Sequence, residues 1–100
     1  MIQLHRGDLW TYQALARTKT VLVVSADELN AHGLPMTCDV TDVRPTGLKA
    51  MLATTLAGHG YILGRSLVAA DPERFREFLD TAPDETMDAL GAALSTLIGL

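Results

Sequence analysis

The chain has 100 residues, 48% of them hydrophobic and 20% charged, with a formal net charge of −4. That length supports one domain spanning residues 1–100, and the composition excludes a disordered chain. The acidity is uneven: residues 1–70 carry six Lys/Arg against five acids, and residues 71–100 carry two against seven. A strongly basic, non-specific nucleic-acid binder is therefore excluded, whereas a nucleic-acid site in the first part is not. No apolar run reaches the ~18 residues of a membrane span, and the first residues form no apolar leader, so a cytosolic protein without a membrane role is expected. Cys38 is the single cysteine, which rules out an internal disulfide and reads as a small buried strand residue.

In chain order, a turn-like Gly7-Asp8 leads into alternation. Leu9, Thr11 and Gln13 fall on one face and Trp10 and Tyr12 on the other, which predicts a first strand with Trp10 in the core. A short connector, Ala14–Thr18, carries Arg17. Val21–Val24 follows, with three β-branched residues, and predicts a central strand buried on both faces. Ser25 with Asp27 and Glu28 reads as the cap and acidic first turn of a single helical turn ending near Gly33. Met36–Val43 is β-favouring but holds Asp39 and Asp42. Arg44–Gly47 is a turn, and Leu48–Thr55 and Tyr61–Ala70 are two more strands, with Gly64 as a bulge in the last one.

The character then changes. Asp71-Pro72-Glu73 predicts the start of a short helix through Leu79, with Phe75, Phe78 and Leu79 on one face. A second helix begins at Pro83-Asp84-Glu85, and Met87, Leu90, Leu94, Leu97 and Ile98 form its apolar stripe. Strands first and helices last predict an α+β fold: a small β-barrel of about five mostly antiparallel strands with a C-terminal helix packed on it.

This order of features resembles the MazF/PemK family of toxins. The matching pieces are Arg6-Gly7-Asp8-Leu9-Trp10, then Val21-Leu22-Val23-Val24-Ser25 with Asp27 and Asn30, and the closing Asp71, Pro83-Asp84-Glu85 and Leu97–Leu100. The resemblance covers nearly the whole chain. It implies an SH3-like barrel, a homodimer, metal-independent endoribonuclease cleavage of single-stranded RNA, and neutralisation by a cognate antitoxin.

Such chemistry needs a cation for phosphoryl charge, hydroxyl or amide donors for the phosphate, and an acceptor for the proton of the ribose 2′-OH. The Arg-Pro pair that precedes the family's central strand reads Lys19-Thr20 here, which keeps the charge without the guanidinium fork. Arg17 on the same connector is the second candidate cation. The family's strand-three threonine matches Thr41, and its polar residue on the last strand, often Gln, falls at Ser66, beside Arg65. The first loop, Gln13–Thr18, has neither Gly nor Glu, so the proton acceptor is sought at Asp42 or His59. The resemblance thus implies Lys19, Arg17 and Thr41 as catalytic residues and Ser66, Arg65 and Asp42 as substrate-binding ones. His5, His32 and His59 share no metal-ligand spacing, and neither a metal nor another cofactor is expected.

Two alternatives stand beside this reading. One is a protein-binding toxin of the CcdB kind, a gyrase poison engaging its partner through Leu97–Leu100; the other is a catalytically degenerate family member. An antitoxin is implied for a toxin of either kind, and an acidic one would dock on the first part of the chain, away from the acidic tail.

Overall fold

The computed structural model describes residues 2–99. Six strands form one antiparallel sheet: β1 (Asp8–Gln13), β2 (Thr18–Val23), β3 (Met36–Thr41), β4 (Ala53–Leu56), β5 (Gly60–Ala69) and β6 (Phe75–Thr81). Their spatial order is β4-β5-β3-β2-β1-β6. A short helix, α1 (Asp27–Ala31), joins β2 to β3, and α2 (Asp84–Ile98) follows β6. The fold is α+β with a C-terminal helix on the sheet, as expected. There are six strands where about five were predicted, and among the described residues no β4–β6 pairing closes the ladder into a barrel.

The central strand is buried on both faces because its residues alternate between two apolar layers. Leu22 joins Leu9, Cys38 and Ile62 in one layer, which Met87 and Leu90 of α2 cover. Val21 and Val23 point the other way and pack with Leu4, Trp10 and Phe75. Trp10 meets Phe75 and Phe78 edge-on at 5.9 and 5.7 Å between ring centroids, a geometry that pairs a ring's positive edge with a negative face. On α2 the predicted stripe is only partly covered. Met87 and Leu90 are buried and Leu94 packs against the same layer, but Leu97 and Ile98 are exposed. The helix ends at Gly99, whose left-handed φ of +78° suits a residue without a Cβ. Leu100 lies outside the described residues.

Three local expectations change. Asp71 does act as a cap, its carboxylate accepting the Glu73 N–H at 2.9 Å, but it opens only a 3-10 turn, Pro72–Arg74. The segment predicted as helix is β6. Its backbone pairs with the free edge of β1, and Phe75 is drawn into the aromatic layer opposite Tyr12. Leu48–Thr55 is likewise strand only from Ala53, after a 3-10 segment, Gly47–Leu52. Ser25 does not cap α1. Its hydroxyl accepts the Met36 N–H at 2.9 Å, and Asn30 donates to its carbonyl at 3.1 Å, so it ties the two ends of the α1 loop together.

Gly64 does lie in a bulge. Between Thr37 and Asp39 the chain of β3 advances two residues while β5 moves five, from Val68 to Leu63. A Cβ on Gly64 would stand 2.7 Å from the Leu52 carbonyl oxygen, so only glycine fits this close approach.

Leu22→Ala and Leu90→Ala, each opening a void in the layer under α2, are expected to lower the unfolding free energy by about 2–5 kcal/mol in urea titrations. Burial, with the Asp39 charge second, pushes the Cys38 thiol up to about 11. Iodoacetamide is therefore expected to label Cys38 slowly in the native protein and rapidly once it is unfolded.

Candidate functional site

Strand alternation and the β2–β3 register, with Val21 opposite Asp39, put Lys19, Val21, Asp39 and Thr41 on one face of the sheet. Where the apolar layer ends, this face opens into a cavity of about 570 Å³. Its walls include Arg17 and Lys19 from one side, Asp39, Thr41 and Asp42 from the other, and His59 and Leu79.

Lys19 Nζ lies 2.9 Å from Asp39 Oδ1, with the two side chains 24% and 32% exposed. That oxygen accepts no hydrogen bond, so the contact is an ion pair without hydrogen-bond alignment. The ammonium also sits 5.9 Å from the centroid of the Tyr12 ring. Arg17 occupies the tight turn between β1 and β2. The turn is closed by the Ala14 N–H donating to the Arg17 carbonyl at 2.9 Å and the Thr18 hydroxyl donating to Gln13 Oε1 at 3.0 Å. Among the described residues Arg17 has no ion-pair partner. Thr41 Oγ1 accepts the Val43 N–H at 3.1 Å, a local turn that fixes the exit from β3 and leaves Asp42 on the rim.

His59 stands at the tip of the β4–β5 hairpin, between Gly58 and Gly60, whose φ angles of +83° and +115° only glycine adopts readily. A Cβ on Gly60 would collide with the Thr41 carbonyl oxygen, so this glycine lets the hairpin lie against the end of β3. His59 Nε2 is 2.9 Å from Asp80 Oδ2 of β6, a contact that spans the gap between the two open regions of the sheet. Hydrogen bonding to His59, and then to the Thr81 N–H, holds the Asp80 carboxyl below the usual carboxylate range.

Five candidates from the sequence therefore meet in one cavity: Arg17, Lys19, Thr41, Asp42 and His59. Ser66 and Arg65 do not join them. They line an adjoining recess of about 290 Å³ with Lys49, and Leu63 borders both spaces. The Ser66 hydroxyl accepts the Asp39 N–H at 2.7 Å and donates to the Leu63 carbonyl at 2.6 Å, which pins the β5 bulge. Arg65 forms no ion pair with Asp42 or another acid among the described residues. Sequence reasoning missed the partners Asp39 and Asp80. Asp39 was detectable, since it sits two residues before Thr41 and so shares its face; Asp80 was hidden by the helix assigned to its segment. Among the described residues no group of three or more His, Cys, Asp or Glu side chains could hold a metal ion.

Since folding lowers the Asp80 pKa, this carboxylate adds stability above the ordinary carboxylate range and loses it as pH falls through the folded-state value. The melting temperature of Asp80→Asn should accordingly lie below wild type at about pH 5 and approach it in stronger acid. Gly60→Ala, strained in φ and blocked by Thr41, is expected to cost about 1–3 kcal/mol, measured by chemical denaturation.

No protein-family model matches the chain, and no curated protein matches it significantly. Solved structures do. An endoribonuclease from a mycobacterial species, in complex with its cognate antitoxin, superposes with a TM-score of 0.87 at 20% identity, over 97% of this chain and 96% of that one. A mycobacterial endoribonuclease on its own gives 0.87 at 21% identity, over 100% and 95%. The MazE–MazF complex of Deinococcus radiodurans in its Form-I crystal gives 0.85 at 25% identity, over the full length of both chains. From end to end, this chain has the MazF fold.

Proposed function

We propose that residues 1–100 form a single MazF-like toxin domain: an endoribonuclease of a type II toxin–antitoxin system that cleaves single-stranded RNA without a metal. The observation that carries this is the full-length likeness to MazF endoribonucleases, together with a cavity at the β2–β3 end of the sheet that gathers two cations and a threonine hydroxyl. Arg17 and Lys19 supply positive charge to a bound phosphate, and Thr41 offers its hydroxyl. The reaction uses the substrate's own nucleophile. The ribose 2′-oxygen loses its proton and bonds to phosphorus as the P–O5′ bond breaks, and O5′ leaves with the electron pair and takes a proton. The product ends are a 2′,3′-cyclic phosphate and a 5′-hydroxyl.

Of the two cations, Arg17 is free of acid partners among the described residues, whereas Lys19 is compensated by Asp39. Arg17 is therefore assigned the larger share of phosphate binding, and its fork suits two phosphate oxygens at once. Lys19 is held by Asp39 beside Thr41. Asp42 on the rim borders the substrate, and Arg65 with Ser66 borders a second stretch of RNA beyond Leu63.

A cognate antitoxin, by analogy with the complexes among the structural neighbours, and a homodimer complete the reading. Among the described residues no helix is long and apolar enough to cross a membrane, and an RNA substrate fits a cytoplasmic site of action. The CcdB-like reading has one observation in its favour, the exposure of Leu97 and Ile98 on α2.

The test is incubation of the purified protein with a long single-stranded RNA in EDTA, followed by mapping of the 5′ ends. Discrete cuts are expected to survive chelation and to vanish in Arg17→Ala and Thr41→Ala, with a smaller loss in Lys19→Ala. Intact RNA with wild type would overturn the ribonuclease reading and direct attention to gyrase and the exposed end of α2.

A further inference from the structure

His59 lines the cavity and is held from behind by Asp80, a pair with no role in the reaction as described so far. We propose that His59 is the general base that takes the proton from the ribose 2′-oxygen, with Asp80 as its positioning residue. This assignment rests on the ribonuclease reading and deepens it.

Three observations carry it. His59 lines the same cavity as Arg17, Lys19 and Thr41, although it comes from the β4–β5 hairpin and not from β2 or β3. Its Nε2 is held 2.9 Å from Asp80 Oδ2, which fixes the ring and selects the tautomer protonated at Nε2. Nδ1 then carries the lone pair, and among the described residues it has no hydrogen-bond partner. A base oriented by a carboxylate on its far nitrogen is the arrangement that proton abstraction requires.

The competing group is Asp42, and chemistry disfavours it. An imidazole accepts a proton near neutral pH, where an ordinary carboxylate is a much weaker base. The first loop, Gln13–Thr18, contains no acid at all. The hairpin tip that carries His59 is rigidly placed, because Gly60 lies against the Thr41 carbonyl and no larger residue fits there. The remaining ionisable groups lining the cavity are Arg17, Lys19, Asp39 and Asp42, and Asp39 is already paired with Lys19. Of the two acids that line the cavity, Asp39 is thus committed to Lys19, which leaves Asp42 and His59 as the acceptors to compare, and only His59 is oriented by a partner.

In the step itself, the 2′-oxygen gives its proton to Nδ1 and bonds to phosphorus, the P–O5′ bond breaks, and O5′ takes a proton from water, after which the hydroxide so formed takes the Nδ1 proton and restores the base. Asp80 accepts the Nε2–H throughout and stabilises the imidazolium that forms.

The test compares wild type, His59→Gln, His59→Ala and Asp80→Asn with Thr41→Ala, on one single-stranded RNA in EDTA between about pH 5 and 9. His59→Gln keeps a donor for Asp80, so the fold and the RNA Kd are expected to hold. Its kcat is expected to fall about 10²–10⁴-fold, and the acidic limb of the pH profile to disappear. Added imidazole should restore part of the His59→Ala activity, and Asp80→Asn should lower kcat less and shift the acidic limb.

If His59→Gln cuts at the wild-type rate with an unchanged pH profile while Thr41→Ala is inactive, the assignment falls and the ribonuclease reading stands. A loss in His59→Gln that keeps the acidic limb, with no imidazole rescue in His59→Ala, makes His59 a structural clasp and also overturns the assignment. Intact RNA with wild type overturns the ribonuclease reading and the assignment with it.

Discussion

The structure depends on the burial of β2 from both sides. Val21, Leu22 and Val23 are fully buried in sequence, Leu22 toward α2 and the two valines toward the aromatic layer. Each such side chain contributes about 1.5–3 kcal/mol by leaving water. Because consecutive residues serve opposite layers, a slip of one position would exchange the two faces and lose both sets of contacts. The register of β2 against β1 and β3 is therefore fixed by packing. So is the placement of Lys19, which lies two residues before Val21 on the same face. The polar cavity is the continuation of an apolar layer, and its geometry follows from the same alternation.

Charge around that cavity is arranged in pairs. Lys19 meets Asp39, and His59 meets Asp80. Exposed or half-exposed pairs of this kind are screened by solvent and contribute little to stability, so their main consequence is placement. The Lys19–Asp39 pair joins β2 to β3 beside Thr41, and the His59–Asp80 pair holds the tip of the β4–β5 hairpin against β6. The second pair spans a gap that backbone pairing leaves open, since β4 and β6 are the free edges of the sheet. Side chains thus bring the two ends of the sheet together around the cavity without closing the ladder.

Much of this was legible in the sequence where the signal was local. The alternation of Leu9 with Trp10 and Tyr12, the Val21–Val24 run and the Met87–Leu90–Leu94 spacing each described a buried face correctly, because period and packing coincide. β6 was not legible. Asp71-Pro72-Glu73 is a sound helix-start signal, and Phe75, Phe78 and Leu79 have helical spacing. What turns this segment into a strand is the free edge and aromatic side chains of β1, more than sixty positions away in the chain, which no local pattern contains. The cavity shows the same division. Lys19 and Thr41 come from neighbouring strands whose alternation can be read directly, with Arg17 and Asp42 one residue beyond the ends of those strands, whereas Arg65 and Ser66 sit in a bulge that resets which residues of β5 face the cavity.

The bulge gives Ser66 a structural connection to the site, although it places the residue outside the cavity. The irregular stretch of β5 leaves Cys38 without a register partner on that strand and sets Asp39 opposite Leu63, where the Asp39 N–H donates to the Ser66 hydroxyl, which in turn donates to the Leu63 carbonyl. The backbone of Asp39 is thereby fixed, its carboxylate lies beside Lys19, and Lys19 lies over the ring of Tyr12. Gly64 makes the chain possible, because the strand can fold over Leu52 only where no Cβ intervenes. A position matched to a substrate contact in the linear sequence is also, in three dimensions, a support for one of the cavity's charges. That second role turns on a few extra residues in one strand, which alter register without altering composition.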